Sequence, residues 1–137
     1  MGASLGALTM LINGFLSPWG FAGVILPFQM LGMALMGFMG GVYRRLLGGG
    51  ISKLNILNLE VSFLAAFFTL IYDVITNVGW ALPTNIPIIV ALFSGAWFTV
   101  IHVVSNAILF GTVFSPLMRI IGDLAGENTW SYQKEVW

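Results

Sequence analysis

Four long apolar blocks, separated by short breaks of glycine, proline and polar residues, make up almost the whole chain. The first covers residues 3–16 and closes at Ser17-Pro18-Trp19-Gly20, where proline and glycine together mark a turn. The second covers 27–43. It opens on Pro27, whose missing N–H costs nothing in a first helical turn, and it ends at Arg44-Arg45 and Gly48-Gly49-Gly50. The third covers 54–80 and is followed by Ala81-Leu82-Pro83-Thr84-Asn85, the next expected turn. The fourth, 87–121, would reach about 50 Å as a helix, too long for one straight crossing of an apolar layer of about 30 Å. It is expected either to kink near Gly111 or Pro116 or to end along the interface. The pattern predicts an all-α fold: a polytopic membrane helical bundle of about four transmembrane helices over 1–122. Residues 123–137 form a cytoplasmic or interfacial tail, where Trp130, Tyr132 and Trp137 suit the membrane surface.

Composition strengthens the membrane reading. Hydrophobic residues are 58% and charged residues 7%, against about a quarter charged in a soluble domain, and the mean hydropathy is +0.97. The first charged residue is Arg44, and none lies between Asp73 and Arg119. No room is left for a soluble catalytic domain. A formal net charge of zero gives no sign of a nucleic-acid partner, and the absence of cysteine excludes disulfides and thiolate metal sites. Lysine and arginine in short loops set orientation. Arg44, Arg45 and Lys53 fall between the second and third blocks, and Arg119 and Lys134 follow the fourth, while the turns at 17–26 and 81–87 carry no charge. The 44–53 loop and the C-terminus are therefore expected to be cytoplasmic, and the two uncharged turns to face outside.

Small residues recur at four-residue spacing as Gly2 with Gly6, Ala3 with Ala7, and Gly37 with Gly41. Such spacing lets helix backbones approach closely in lipid. Two uses follow, packing within this chain or docking on another membrane subunit, and the first is the more common.

In this setting the polar residues inside apolar blocks need explanation. Thr69, Asp73, Asn77 and Trp80 share one face of the third helix; Thr99, His102 and Asn106 share one face of the fourth. A charge near the bilayer centre costs from about 2.5 kcal/mol upward, so Asp73 must face protein or a water-filled cavity. Trp80 marks the outer interface. Asp73 sits about 10 Å below it by helix rise, and antiparallel packing would bring it within a turn or two of His102. The candidate cavity-lining residues are Gln29, Asp73, Asn77, His102 and Asn106, with Trp19 and Trp80 at the mouth. Each has a quieter reading as an interhelical hydrogen-bonder or interface aromatic; Trp97 is read the latter way, and Glu60 as reaching the headgroups. No catalysis is expected. The string Gly2-Ala3-Ser4-Leu5-Gly6 has no strand before it to form a nucleophile elbow. One histidine with one aspartate is too thin for a metal site, no Walker motif is present, and no cofactor is implied.

The order of GASLGALTMLINGFLSPWG, LPFQMLGMALMGFMGG, LIYDVITNVGWAL and VIHVVSNAILFGTVFSPLMRII resembles the substrate-binding S component of energy-coupling factor (ECF) transporters. The features that carry the likeness are Pro27 with Gln29-Met30, Asp73 with Asn77, and His102 with Asn106, within residues 2–122. The resemblance implies six membrane helices, of which this chain matches the last four. It also implies a vitamin site near the outer face and residence in a prokaryotic inner or plasma membrane. The implied partners are a transmembrane T subunit, two cytoplasmic ATPases and membrane lipid. Family members dock on the T subunit through a small-residue motif in the first helix, which this chain does not match. Beside this stand two other readings: a small structural membrane subunit, and an inactive transporter fragment.

Overall fold

The computed structural model describes residues 1–17, 21–46 and 54–124. Among them are four α-helices, α1 (Gly2–Leu16), α2 (Leu26–Leu46), α3 (Leu54–Thr84) and α4 (Ile88–Leu124), with a 3₁₀ turn at Gly23–Ile25 leading into α2. Three helical segments are long and apolar enough to cross a membrane: Gly23–Tyr43, Leu59–Thr84 and Ile88–Leu124. The first expected span, α1, is shorter at 15 residues, about 22 Å by helix rise. The protein is an all-α helical bundle of membrane type.

The turn expected at 81–85 lies later. Proline at 83 does not stop α3, which runs on to Thr84. The stop comes at Asn85, which adopts a left-handed backbone (φ 54). Asparagine tolerates that conformation better than most residues. The next amide, Ile86 N, then donates to Ala81 O at 3.2 Å, closing the helix with the wide bond that follows a left-handed residue. Pro87 cannot extend α3, but its carbonyl accepts from Val90 N (2.9 Å) and Ala91 N (3.1 Å) and so starts α4. The fourth helix passes through both expected kink points, with Pro116 inside it. It continues to Leu124, past the start of the expected tail; residues 125–137 lie outside the described part, as does the loop over 47–53.

The helices pair as two antiparallel hairpins, α1 with α2 and α3 with α4, joined by a smaller contact between α2 and α3. In the first hairpin the backbones nearly touch. A Cβ at Gly2 would strike the carbonyl of Gly37, and one at Gly6 the carbonyl of Met33. The small residues at four-residue spacing thus serve packing within the chain, whereas Gly40 and Gly41 face open space. In the second hairpin the contacts are polar as well as small. Ser62 Oγ donates to Ala107 O (2.7 Å), Asn106 Nδ2 donates to Thr69 Oγ1 (2.9 Å), and Gly95 leaves the space that the Asn77 amide occupies.

Polarity runs opposite to that of a water-soluble bundle. Among the described residues the buried set is small, Leu26, Val61, Ala81 and Ala91 with the polar Thr69, Asp73 and Ser115, and the largest side chains fully enclosed are the polar Thr69 and Asp73. Phe63, Phe93, Trp97 and Ile108, by contrast, lie on the outside. Where the surrounding solvent is hydrocarbon, no hydrophobic force gathers leucines inward, and close backbones with interhelical hydrogen bonds hold the bundle instead.

Candidate functional site

All four helices and the 3₁₀ turn contribute to one cavity of about 420 Å³. It lies in the half of the bundle nearest the Gly23–Ile25 and Asn85 turns. Met10 and Asn13 come from α1, Ile25 from the 3₁₀ turn and Gln29 from α2. Tyr72, Asp73, Thr76, Asn77 and Trp80 come from α3, and Phe98 and His102 from α4.

Asp73 is the centre of it. The residue is 2% exposed, and its Oδ1 lies 2.9 Å from His102 Nδ1. An ionised carboxylate only accepts, so the tautomer that fits has the proton on Nδ1, donated to Asp73, with the lone pair left on Nε2. A protonated imidazole would make the same contact an ion pair. The antiparallel register of α3 and α4 places the two residues face to face, within the distance expected from the sequence. Two neighbours secure the backbone beneath: Thr76 Oγ1 (3.0 Å) and Asn77 Nδ2 (2.8 Å) both donate to the Asp73 carbonyl. Rings flank the imidazole on two sides. Phe98 is 5.3 Å from it between centroids at 44°, and Tyr72 is 6.2 Å away, edge-on at 78°.

The hydrogen-bond inventory does not close. Asp73 Oδ2 and Gln29 Oε1 are both buried and without a partner, and both residues line the cavity. Burying an acceptor unmade costs about 1–3 kcal/mol, and more for a charged group. Both atoms stand at the wall of the same cavity.

Of the residues expected from the sequence, Gln29, Asp73, Asn77, Trp80 and His102 are brought together here. Asn106 is not among the lining residues: one turn deeper on α4, its amide is spent on Thr69. Trp19 lies outside the described residues. Trp97 is 76% exposed and faces away from the bundle interior. Ser4 sits inside α1 with its hydroxyl donating to Met1 O (3.1 Å), a helical position without the strained turn a nucleophile needs. No cluster of three or more metal-ligating side chains occurs among the described residues. Sequence reasoning overlooked Met10, Asn13, Ile25, Tyr72, Thr76 and Phe98. Asn13 could have been found, since it is a polar residue in an apolar block and answers to the rule applied to Asp73. The apolar members carry no such signal, because ring and aliphatic side chains face lipid and cavity alike.

Asn106 gives a clean contrast with the cavity residues. Asn106→Leu should cost about 0.6 kcal/mol, the average for an interhelical bond in a membrane bundle, and leave solute binding unchanged. Paired unfolding and binding titrations on purified protein would check both halves.

No family model matches the chain, and no curated protein or solved structure matches it either.

Proposed function

We propose that this protein captures a small vitamin-like solute from the outer side of a prokaryotic cell membrane, as the substrate-binding subunit of an ECF-type uptake transporter, and is not itself an enzyme. The observation that carries this reading is Asp73. It is the one acid inside the helical residues 61–118, it is almost fully buried, and it lines a cavity with one carboxylate oxygen engaged and the other free. A purely structural acid would satisfy both oxygens within the protein, because an unmade buried acceptor is a net cost. The cavity volume falls in the usual range for small-molecule sites, about 300–1,000 Å³. Its walls mix rings, aliphatic groups and a few polar atoms, as such sites do. The uncharged turns at this end of the bundle favour an outside-facing mouth.

The transport partners rest on the resemblance of the apolar segments. A T subunit and two ATPases would supply the hydrolysis for which this chain has no motif. Pull-down of the tagged protein from its own membranes in mild detergent tests this part, and recovery of those subunits is the expected result. Recovery of an unrelated membrane complex would favour the second reading, a structural subunit. That reading is supported by the Ser62–Ala107 and Asn106–Thr69 bonds, which only join α3 to α4.

A further inference from the structure

We infer that the solute held in this cavity is planar, uncharged or singly positive, and that it donates a hydrogen bond from an N–H or O–H to Asp73 Oδ2. Carboxylate and phosphate compounds are excluded. The inference rests on the solute-capture reading above and specifies the chemistry of its ligand.

The sign of charge follows from the lining. No lysine or arginine is among the described lining residues, and the two ionisable groups at the centre are Asp73 and His102, already bonded to each other. With a neutral imidazole the site carries one negative charge, and with a protonated one it carries none. At no stage does it offer a net positive charge to an anion, and a second carboxylate beside Asp73 would meet like charge in a medium where such repulsion is weakly screened.

The demand for a donor follows from the carboxylate. An ionised carboxylate has about four lone-pair sites and no proton to give; His102 takes one site on Oδ1, and Oδ2 has no partner. Only an N–H or O–H can satisfy it. Gln29 Oε1 is a second buried acceptor of the same kind. Its amide can turn to present Nε2 instead, so Asp73 decides the polarity and Gln29 adapts to the solute's remaining group.

The preference for a flat ring follows from Tyr72, Trp80 and Phe98, which line the same cavity as the acidic centre. Aromatic faces attract flat partners through offset or edge contacts, and they attract cations through the ring quadrupole. Neither force favours an anion.

Benzamidine, benzamide and benzoate separate these terms, because they share one shape while the donor count falls and the charge passes from positive through zero to negative. Each would be titrated by ligand-observed NMR against the full chain in phosphatidylcholine nanodiscs, with cyclohexanecarboxamidine as the non-aromatic counterpart. The expected order is benzamidine tighter than benzamide by tenfold or more, with benzoate undetectable and the cyclohexyl compound several-fold weaker than benzamidine. In Asp73→Asn the preference for benzamidine over benzamide should fall below threefold. The ranking on the unmodified protein decides the matter even if that variant does not fold. Benzoate binding as tightly as benzamidine would overturn the inference while leaving solute capture standing, and equal binding of the cyclohexyl compound would overturn its planar-ring requirement. Failure of every probe, together with native mass spectra free of any retained solute, would overturn solute capture and this inference with it.

Discussion

Replacing Asp73 by alanine should abolish solute retention while leaving a helical, membrane-inserted protein. Removing one partner of a buried, hydrogen-bonded charge from a binding site typically costs about 2–5 kcal/mol, or about thirtyfold to several thousandfold in affinity. Native mass spectrometry of detergent-purified protein gives the direct measurement. The unmodified chain should carry a mass satellite of a retained small molecule, and Asp73→Ala should lack it. Undiminished retention would take Asp73 out of the site. The effect on folding should be smaller than the effect on binding. His102 loses its partner, but at 31% side-chain exposure it is not sealed from its surroundings, whereas the removed carboxylate leaves behind no unpaired buried charge.

The second large effect is expected at Gly37. A side chain there would run into the backbone of Gly2, and a backbone cannot step aside by changing rotamer. Gly37→Leu must therefore push α1 away from α2. Overpacking of this kind costs about 1–3 kcal/mol in ordinary cores, occasionally more, and the upper end applies because no flexible atom can absorb it. Solute binding should weaken in parallel, because α1 brings Met10 and Asn13 to the cavity. Gly41→Leu is the matched control on the same helix. Nothing lies within 4 Å of a Cβ added there, so its effect should stay within about 0.5 kcal/mol. Unfolding of both variants in the same detergent makes the comparison, and equal losses would contradict the close α1–α2 seam.

Legibility of the chain from its sequence divided along one physical line. Hydropathy alone located the helices, because an apolar run of that length has few alternatives to a helix buried in lipid. The polar stripes on α3 and α4 were equally readable: an acid at position 73 and a histidine at 102 are costly enough in hydrocarbon that antiparallel packing is expected to bring them within a turn or two of each other, and the direct 2.9 Å contact is added by the structure. Precise ends were less so. Pro83 looks like a break, yet the closing geometry depends on the left-handed backbone at Asn85, a property of the folded turn that no hydropathy window registers. Which polar residues merely join helices was open too. Asn77 and Asn106 are the same residue type at the same kind of spacing, and only the register of α4 against α3 gives one to the cavity wall and the other to Thr69. The apolar half of the site, Met10, Ile25 and Phe98, stayed hidden because it looks like every lipid-facing residue around it.

The length of α4 carries a mechanical consequence. Its 37 residues make a rod of about 55 Å, while transmembrane helices lean by at most about 40°. At that limit a layer of about 30 Å would house only some 39 Å of the rod. The remainder of the rod therefore extends beyond that layer, and last turns with Ile120, Ile121 and Leu124 all outward-facing suit the lipid headgroups, as an oily outrigger, better than open water. Such a lever should make the bundle's inclination respond to bilayer thickness, leaning further as the membrane thins.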